Sequence, residues 1–150
     1  MKTVAGTLSF SKTHPLLRSF MALTFAFLIG LGAQAQVPLP GTPVPMTFQT
    51  FFLLVGASYL GRVYSLQMVG WYLLLGMVGL PLFAGGSTGI ACLLGPTGGY
   101  LAGFLPAAAL LGFAGQTSKG RGFLLFLVAH TILFVPGLLW LKISTQADWS

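Results

Sequence analysis

Acidic side chains are almost missing from this sequence, in which Asp148 is the single carboxylate beside seven lysines and arginines. Acid–base catalysis by a pair of carboxylates is therefore excluded. Charge of either sign is scarce: 5% of the 150 residues are charged, whereas a soluble domain carries about a quarter to keep its surface wet. Together with 55% hydrophobic residues, this composition predicts a helical protein that crosses a membrane several times.

Cysteine and histidine are also scarce. Cys92 has no second cysteine to pair with, which excludes an internal disulfide and a cysteine-based zinc site, and we expect it to be a small packed side chain. His14 and His130 have no acidic neighbour, so neither a metal site nor a catalytic triad is predicted. His14 is expected at the surface, and His130 is either a buried hydrogen-bonding side chain or a proton carrier.

Phosphate-binding motifs are missing as well, because no glycine-rich segment is followed by the Gly-Lys-Ser/Thr of a nucleotide-binding loop. If ATP drives transport here, another chain must hydrolyse it. We expect a protein that is not an enzyme, with no catalytic residue, no metal and no cofactor.

Five apolar stretches are present, and each predicts a transmembrane helix. They are Leu16–Gln36, Met46–Leu60, Val63–Leu80, Tyr100–Ala114 and Gly122–Ile143. Pro136-Gly137 predicts a kink in the last stretch. The expected fold is an all-α, polytopic helical bundle of five visible transmembrane segments at residues 16–143, between a leader at residues 1–15 and a short tail at residues 144–150.

The basic residues indicate the orientation in the membrane. If the N-terminus is cytoplasmic and the helices alternate in direction, six of the seven basic residues fall on the cytoplasmic side, and the two opposite loops carry no charge. These six are Lys2, Lys12, Arg18, Arg62, Lys119 and Arg121. This is the positive-inside pattern of a multi-pass protein of the inner (plasma) membrane. No basic stripe exists that would bind nucleic acid.

The N-terminal region has a second interpretation. Its basic residues precede an apolar run that ends in Ala33-Gln34-Ala35, which also resembles a cleaved signal peptide. From the sequence, both a retained first helix and cleavage within residues 1–35 stay open.

The two loops on the predicted outer side are unusual in composition. The segment Val37–Pro45 contains four prolines, which fix φ and should make it stiff. The segment Pro81–Gly99 is rich in glycine and includes a short apolar patch, Ile90–Leu94, that is too short to span a membrane. We expect the stiff loop and the glycine-rich loop to face each other.

Polar and aromatic side chains near these loops are candidates for a binding site. Gln49 lies at the start of the second stretch, and its amide offers a donor and an acceptor. Trp71 and Tyr72 lie near the middle of the third stretch, where core packing is the alternative. Tyr100 follows the glycines directly, and its alternative role is that of an anchor at the membrane interface.

Small residues recur at four-residue spacing in the first stretch, at Ala22, Ala26 and Gly30. Such a strip lets another helix approach closely in lipid. The spacing alone does not distinguish contact with a partner protein from packing within this bundle.

Four strings in the loops carry a resemblance to a known family. They are Val37–Pro40, Val44–Thr50, Gly79–Gly86 and Leu94–Tyr100, and in this order they resemble the BioY family. Members of that family are biotin-specific substrate-capture (S) components of energy-coupling-factor transporters. The resemblance covers about residues 20–142. It implies six membrane helices, with a biotin pocket near the outer face that the first and third loops close.

The resemblance also implies partners and site residues. The partners are a transmembrane coupling protein, docked on the family's Ala-x-x-x-Ala pattern at Ala22 and Ala26, and two ATPase subunits. The ureido ring of biotin needs donors and acceptors, and its thiophane ring and valeryl chain need apolar walls. The implied biotin-binding residues are Gln49, Trp71, Tyr72, Phe83, Gly85, Gly86, Thr97, Gly98 and Tyr100.

One departure from the family is clear. The family's last helix carries Pro-Gly-Asp-x-x-Lys, whose acid and lysine contribute to biotin binding, whereas Lys142 and Asp148 stand in the reverse order with no helix after them. The expectation is a truncated or minimal relative. Two other functions stay open: capture of another vitamin, such as riboflavin or thiamin, and a membrane remnant that does not transport.

Overall fold

A computed structural model describes residues 14–114 and 119–145. Each of the five predicted stretches forms a long helix, which confirms the predicted helical bundle. These helices are α1 (Pro15–Gln34), α2 (Gln49–Leu60), α3 (Arg62–Val78), α5 (Gly98–Leu111) and α6 (Lys119–Thr145), and α4 (Ala91–Leu94) is a single turn before α5. By length and composition alone, α1 and residues 120–145 of α6 could cross a membrane.

The proline-rich loop is held in a small hairpin that the sequence analysis did not predict. Strand β1 (Gln36–Val37) pairs antiparallel with β2 (Met46–Thr47), so that Gln36 lies opposite Thr47. The prolines between them lack the N–H groups that would extend the ladder. The hairpin therefore fixes both ends of the stiff loop above the start of α2.

The core lies chiefly between α1, α2, α3 and α5, and Ala129 and Leu133 of α6 also belong to it. Ala22 and Ala26 of α1 are fully buried in it, together with Leu53 of α2 and Met68 of α3. Because α1 packs against both α2 and α3, it is a wall of the bundle. This favours a retained first helix over a cleaved leader.

Helix α6 packs chiefly on α5. Glycines on α5 allow the two backbones to approach closely: a Cβ at Gly99 would lie 2.8 Å from the Pro136 carbonyl oxygen, and one at Gly103 would lie 3.0 Å from that of Leu133. The helix continues through Pro136. Its other faces are apolar and exposed.

The described arginines lie at one end of the bundle, and the two loops lie at the other. The Arg18 guanidinium is 5.5 Å from the centroid of the Tyr64 ring, at the start of α3. The Arg62 guanidinium is 5.1 Å from that of Phe113, just after α5. Arg121 begins α6 at this same end. Lys2, Lys12, Asp148 and the side chain of Lys119 lie outside the described residues.

Candidate functional site

A cavity of about 290 Å³ opens at the end of the bundle that carries the two loops. This is near the lower limit of small-molecule sites, which measure about 300–1,000 Å³. The proline-rich loop, the segment after α3, the first turns of α2 and α5, and the second half of α6 all contribute to its lining.

One part of the lining is polar and uncharged. Its hydrogen-bonding side chains are Thr42, Thr47, Gln49, Thr50, Thr97 and Tyr100. They come from the loops and from the N-terminal turns of α2 and α5, because these segments meet at the same end of the bundle. Hydroxyl and amide groups of this kind recognise a ligand that both donates and accepts hydrogen bonds.

The remaining part of the lining is an apolar wall that α5 and α6 form together. Its side chains are Leu101, Phe104, Leu133, Phe134, Leu138 and Leu141. The cavity can therefore hold a molecule with a polar head and an apolar body. The head would contact the polar part of the lining, and the body would contact the apolar wall of α5 and α6.

Gln49 is the most constrained polar side chain of the cavity, with 7% of its surface exposed. Its Nε2 donates a hydrogen bond to the Tyr72 hydroxyl at 2.9 Å, and its Oε1 accepts one from the Thr47 hydroxyl at 3.3 Å. A primary amide has two N–H groups and two oxygen lone pairs. One donor and one acceptor position of Gln49 therefore remain for a ligand.

Tyr72 lies behind Gln49 and supports it. Its side chain is fully buried and is not part of the cavity lining. The ring stacks on Phe104, with centroids 5.9 Å apart, and meets the edge of Phe83 at 5.5 Å. Since Phe83 and Phe104 both line the cavity, this aromatic cluster fixes its floor.

The proline-rich loop and the glycine-rich loop face each other, as predicted. Between them lies a second, more open cavity of about 490 Å³. Thr42 and Pro45 from one loop, and Ala84 and Thr97 from the other side, line both cavities, so the outer cavity leads directly into the inner one.

Gln34, at the end of α1, holds the glycine-rich segment in place. Its Nε2 lies 3.0 Å from the Pro81 carbonyl oxygen and 3.3 Å from that of Phe83. Gly85 and Gly86 follow with φ of +68° and +73°, which L side chains rarely adopt. These glycines therefore let the chain turn tightly above the cavity.

Of the predicted site residues, the structure brings Gln49, Phe83, Thr97 and Tyr100 together in the cavity lining. Gly85, Gly86 and Gly98 do not line it, although all three lie in segments that border it. The expected wall at Trp71 is not supported, because this side chain is 39% exposed and lies outside the lining. Adjacent residues of a helix point about 100° apart, so the burial of Tyr72 turns Trp71 outward.

The strip at Ala22 and Ala26 faces the inside of the bundle. Both residues have no exposed surface, and a Cβ at Gly30 would collide with the Leu82 side chain. This placement favours packing within the bundle, which was the alternative to a partner-docking face.

The histidines and the cysteine are outside the cavity lining. His14 is exposed as expected, but the interpretation of His130 as a buried side chain is wrong. Its ring lies on the exposed side of α6, 4.6 Å from the Phe134 centroid, because α6 packs chiefly on α5. The half-buried Cys92 thiol donates a hydrogen bond to the Thr88 carbonyl. Within residues 14–114 and 119–145, no three His, Cys, Asp or Glu side chains cluster as metal ligands.

The sequence analysis missed several lining residues, among them the α6 wall, Leu101 and Phe104 of α5, Thr50 of α2 and the threonines of the hairpin. Phe134, Leu138 and Leu141 recur at helical spacing, but α6 is apolar on every side, so this spacing does not distinguish the cavity face from the rest. Thr42 lies within the proline-rich loop and Thr47 lies just after it. Both threonines could therefore have been named as candidates from their position in the sequence.

Comparison with known proteins gives one consistent result. The chain matches the model of the BioY family over residues 6–150. It is 39% identical to the biotin transporter BioY2 of Lactococcus lactis in an alignment of 131 residues that covers 82% of this chain and 72% of that protein. It is 43% identical to the biotin transporter BioY of Thermotoga maritima over 95 residues, which are 63% of this chain and 55% of that protein.

A solved structure has the same fold. It is the crystal structure of the S-component for biotin from an ECF-type ABC transporter, and it superposes with a TM-score of 0.81 at 25% sequence identity. The superposition covers 89% of this chain and 75% of that one.

Proposed function

The chain belongs to the BioY family, and from this premise we propose that it is the biotin-binding membrane subunit of an energy-coupling-factor transporter for biotin uptake. The observation that carries the proposal is the two-sided cavity. Gln49 and its neighbouring threonines offer donors and acceptors for the ureido ring, and the α5–α6 wall offers apolar contacts for the thiophane ring and the valeryl chain.

The proposed role leaves catalysis to other chains. The transmembrane coupling protein and two ATPase subunits are the proposed partners, and they would supply ATP hydrolysis. The coupling protein is proposed to dock at α1. Because Ala22 and Ala26 are covered within the bundle, docking through them requires the neighbours of α1 to separate.

The proposed location is the inner (plasma) membrane, with several spans and a cytoplasmic N-terminus. The clustering of Arg18, Arg62 and Arg121 at the end opposite the cavity supports this orientation. The cavity then opens to the outside, where a vitamin is captured.

Equilibrium binding of radiolabelled biotin tests the proposal. The full chain is reconstituted in lipid nanodiscs, and empty nanodiscs serve as the control. We expect saturable retention of biotin that unlabelled biotin displaces and that riboflavin and thiamin do not. Retention no higher than that of empty nanodiscs would refute biotin binding, and displacement by riboflavin or thiamin would indicate another vitamin.

A further inference from the structure

We infer that Lys142 binds the carboxylate of the ligand at the outer mouth of the cavity and thereby favours the free acid over uncharged derivatives. This inference rests on the proposed function. It assigns a charged contact to a residue that lies outside the cavity lining, at the end of α6.

The first observation is the neutrality of the cavity. Among the described residues, every side chain that lines it is uncharged. Transfer of a carboxylate from water into such surroundings is strongly unfavourable unless a cation pairs with it or several donors form hydrogen bonds to it. With its polar head at Gln49 and its chain along α6, a biotin molecule directs its carboxylate away from the polar wall. In this orientation, which follows from the proposed function, the acid group is expected at the edge of the α6 wall, towards solvent.

The second observation is the position of Lys142 at this edge. It follows Leu141 directly and lies one turn after Leu138, and both leucines line the cavity. The backbone there is fixed, because the indole N–H of Trp140 donates a 2.9 Å hydrogen bond to the Gly95 carbonyl, just before Thr97. Lys142 itself is exposed, and a lysine can lay its flexible stem along apolar surface while its ammonium stays in water.

The third observation is that no other described charge competes at this end. Arg18, Arg62 and Arg121 lie at the opposite end of the bundle. The sequence contains one acidic residue, Asp148, which is outside the described residues, so no acidic side chain within residues 14–114 and 119–145 neutralises Lys142. Among the residues that the structure describes, the one positive charge that an incoming carboxylate meets at the mouth is therefore that of Lys142.

Two ligands and three variants test this inference. The dissociation constants of biotin and of biotin methyl ester, which lacks the charge, are measured in nanodiscs for the unaltered chain, Lys142→Gln, Lys142→Arg and Arg121→Gln. We expect Lys142→Gln to weaken biotin binding about two- to fivefold, the effect of a solvated ion pair, and to leave the ester unchanged. Lys142→Arg retains the affinity, and Arg121→Gln, which removes the same charge at the opposite end, has no effect on either ligand.

The outcomes separate this inference from the proposed function. Equal losses for acid and ester, or no loss for either, in Lys142→Gln would overturn the role of Lys142 and leave biotin capture intact. Failure of the unaltered chain to bind either ligand would instead refute the proposed function, and this inference with it.

Discussion

At the scale of single residues, Gln49 has one free donor and one free acceptor position after its hydrogen bonds to Tyr72 and Thr47. We expect Gln49→Leu to weaken biotin binding about tenfold or more, because two ligand hydrogen bonds are lost at a nearly buried site. Isothermal titration in nanodiscs measures the change. Gln67→Leu is the matched control, since Gln67 contacts Ser19 outside the cavity. An unchanged affinity in Gln49→Leu would remove this residue from the site.

We expect Tyr72 to act through Gln49 rather than on the ligand, because its side chain is buried outside the cavity lining. We expect Tyr72→Phe to keep the ring packing against Phe83 and Phe104 but to free the Gln49 amide, and so to weaken biotin about two- to fivefold. Tyr64→Phe removes a hydroxyl from the same helix at the far end and should have no effect. If Tyr72→Phe weakens binding in the Gln49→Leu background as strongly as in the unaltered chain, coupling through Gln49 is excluded.

The sequence locates some site residues better than others. Gln49 and Tyr100 are identifiable because they are polar or aromatic side chains that adjoin the loops, whereas Phe83 and Thr97 were expected only from the resemblance to the BioY family. Trp71 is not distinguishable from Tyr72 without the direction of α3, which its packing against α1, α2 and α5 decides. Adjacent helix residues point about 100° apart, so one can face the bundle while its neighbour is exposed, and one sequence does not show which of Trp71 and Tyr72 is inside.

At the scale of elements, α6 forms much of the apolar wall but packs chiefly on α5. We expect Gly103→Ala to destabilise the protein by about 1–3 kcal/mol, because the new methyl group meets the Leu133 backbone at 3.0 Å. It should weaken biotin binding as well, since displacing Leu133 shifts the wall. The thermal midpoint and the dissociation constant are measured together.

Gly70→Ala is the control for this change. Gly70 lies inside α3, and an added Cβ there meets no atom within 4 Å. The substitution should be neutral or stabilise the helix by up to about 1 kcal/mol. Equal thermal midpoints for the two variants would contradict the close α5–α6 packing.

The helices and the hairpin differ in how far the sequence predicts them. The five long helices follow from apolar runs that glycine and proline interrupt: α2 gives way to α3 at Gly61, with φ +80°, and α3 ends at Gly79, with φ +119°. Strands β1 and β2 have two residues each, which is too short for an alternating pattern. Their pairing depends on the return of the chain to the end of α1, a tertiary contact.

At the scale of the whole molecule, the direction of the helices, the placement of the charges and the position of the cavity all distinguish the same two ends of the bundle. The described arginines are at one end, and the uncharged loops and the cavity are at the other. The sequence predicts this separation, because it depends only on the positions of the basic residues and on the alternating direction of successive helices, and not on how side chains pack. The cavity does not follow from them, since it depends on how α2, α5, α6 and both loops converge.

The orientation in the membrane can be measured with single cysteines, because the chain has one natural cysteine to remove. In a Cys92→Ser background, Ser87→Cys lies at the outer cavity and Gly120→Cys lies at the exposed start of α6. We expect a membrane-impermeant maleimide to label the first variant in intact cells and the second only after lysis. Excess biotin should slow labelling at Ser87→Cys, because the outer cavity leads into the binding site. Labelling of Gly120→Cys in intact cells, with Ser87→Cys protected, would show that the cavity opens to the cytoplasm, and capture from outside would then be refuted.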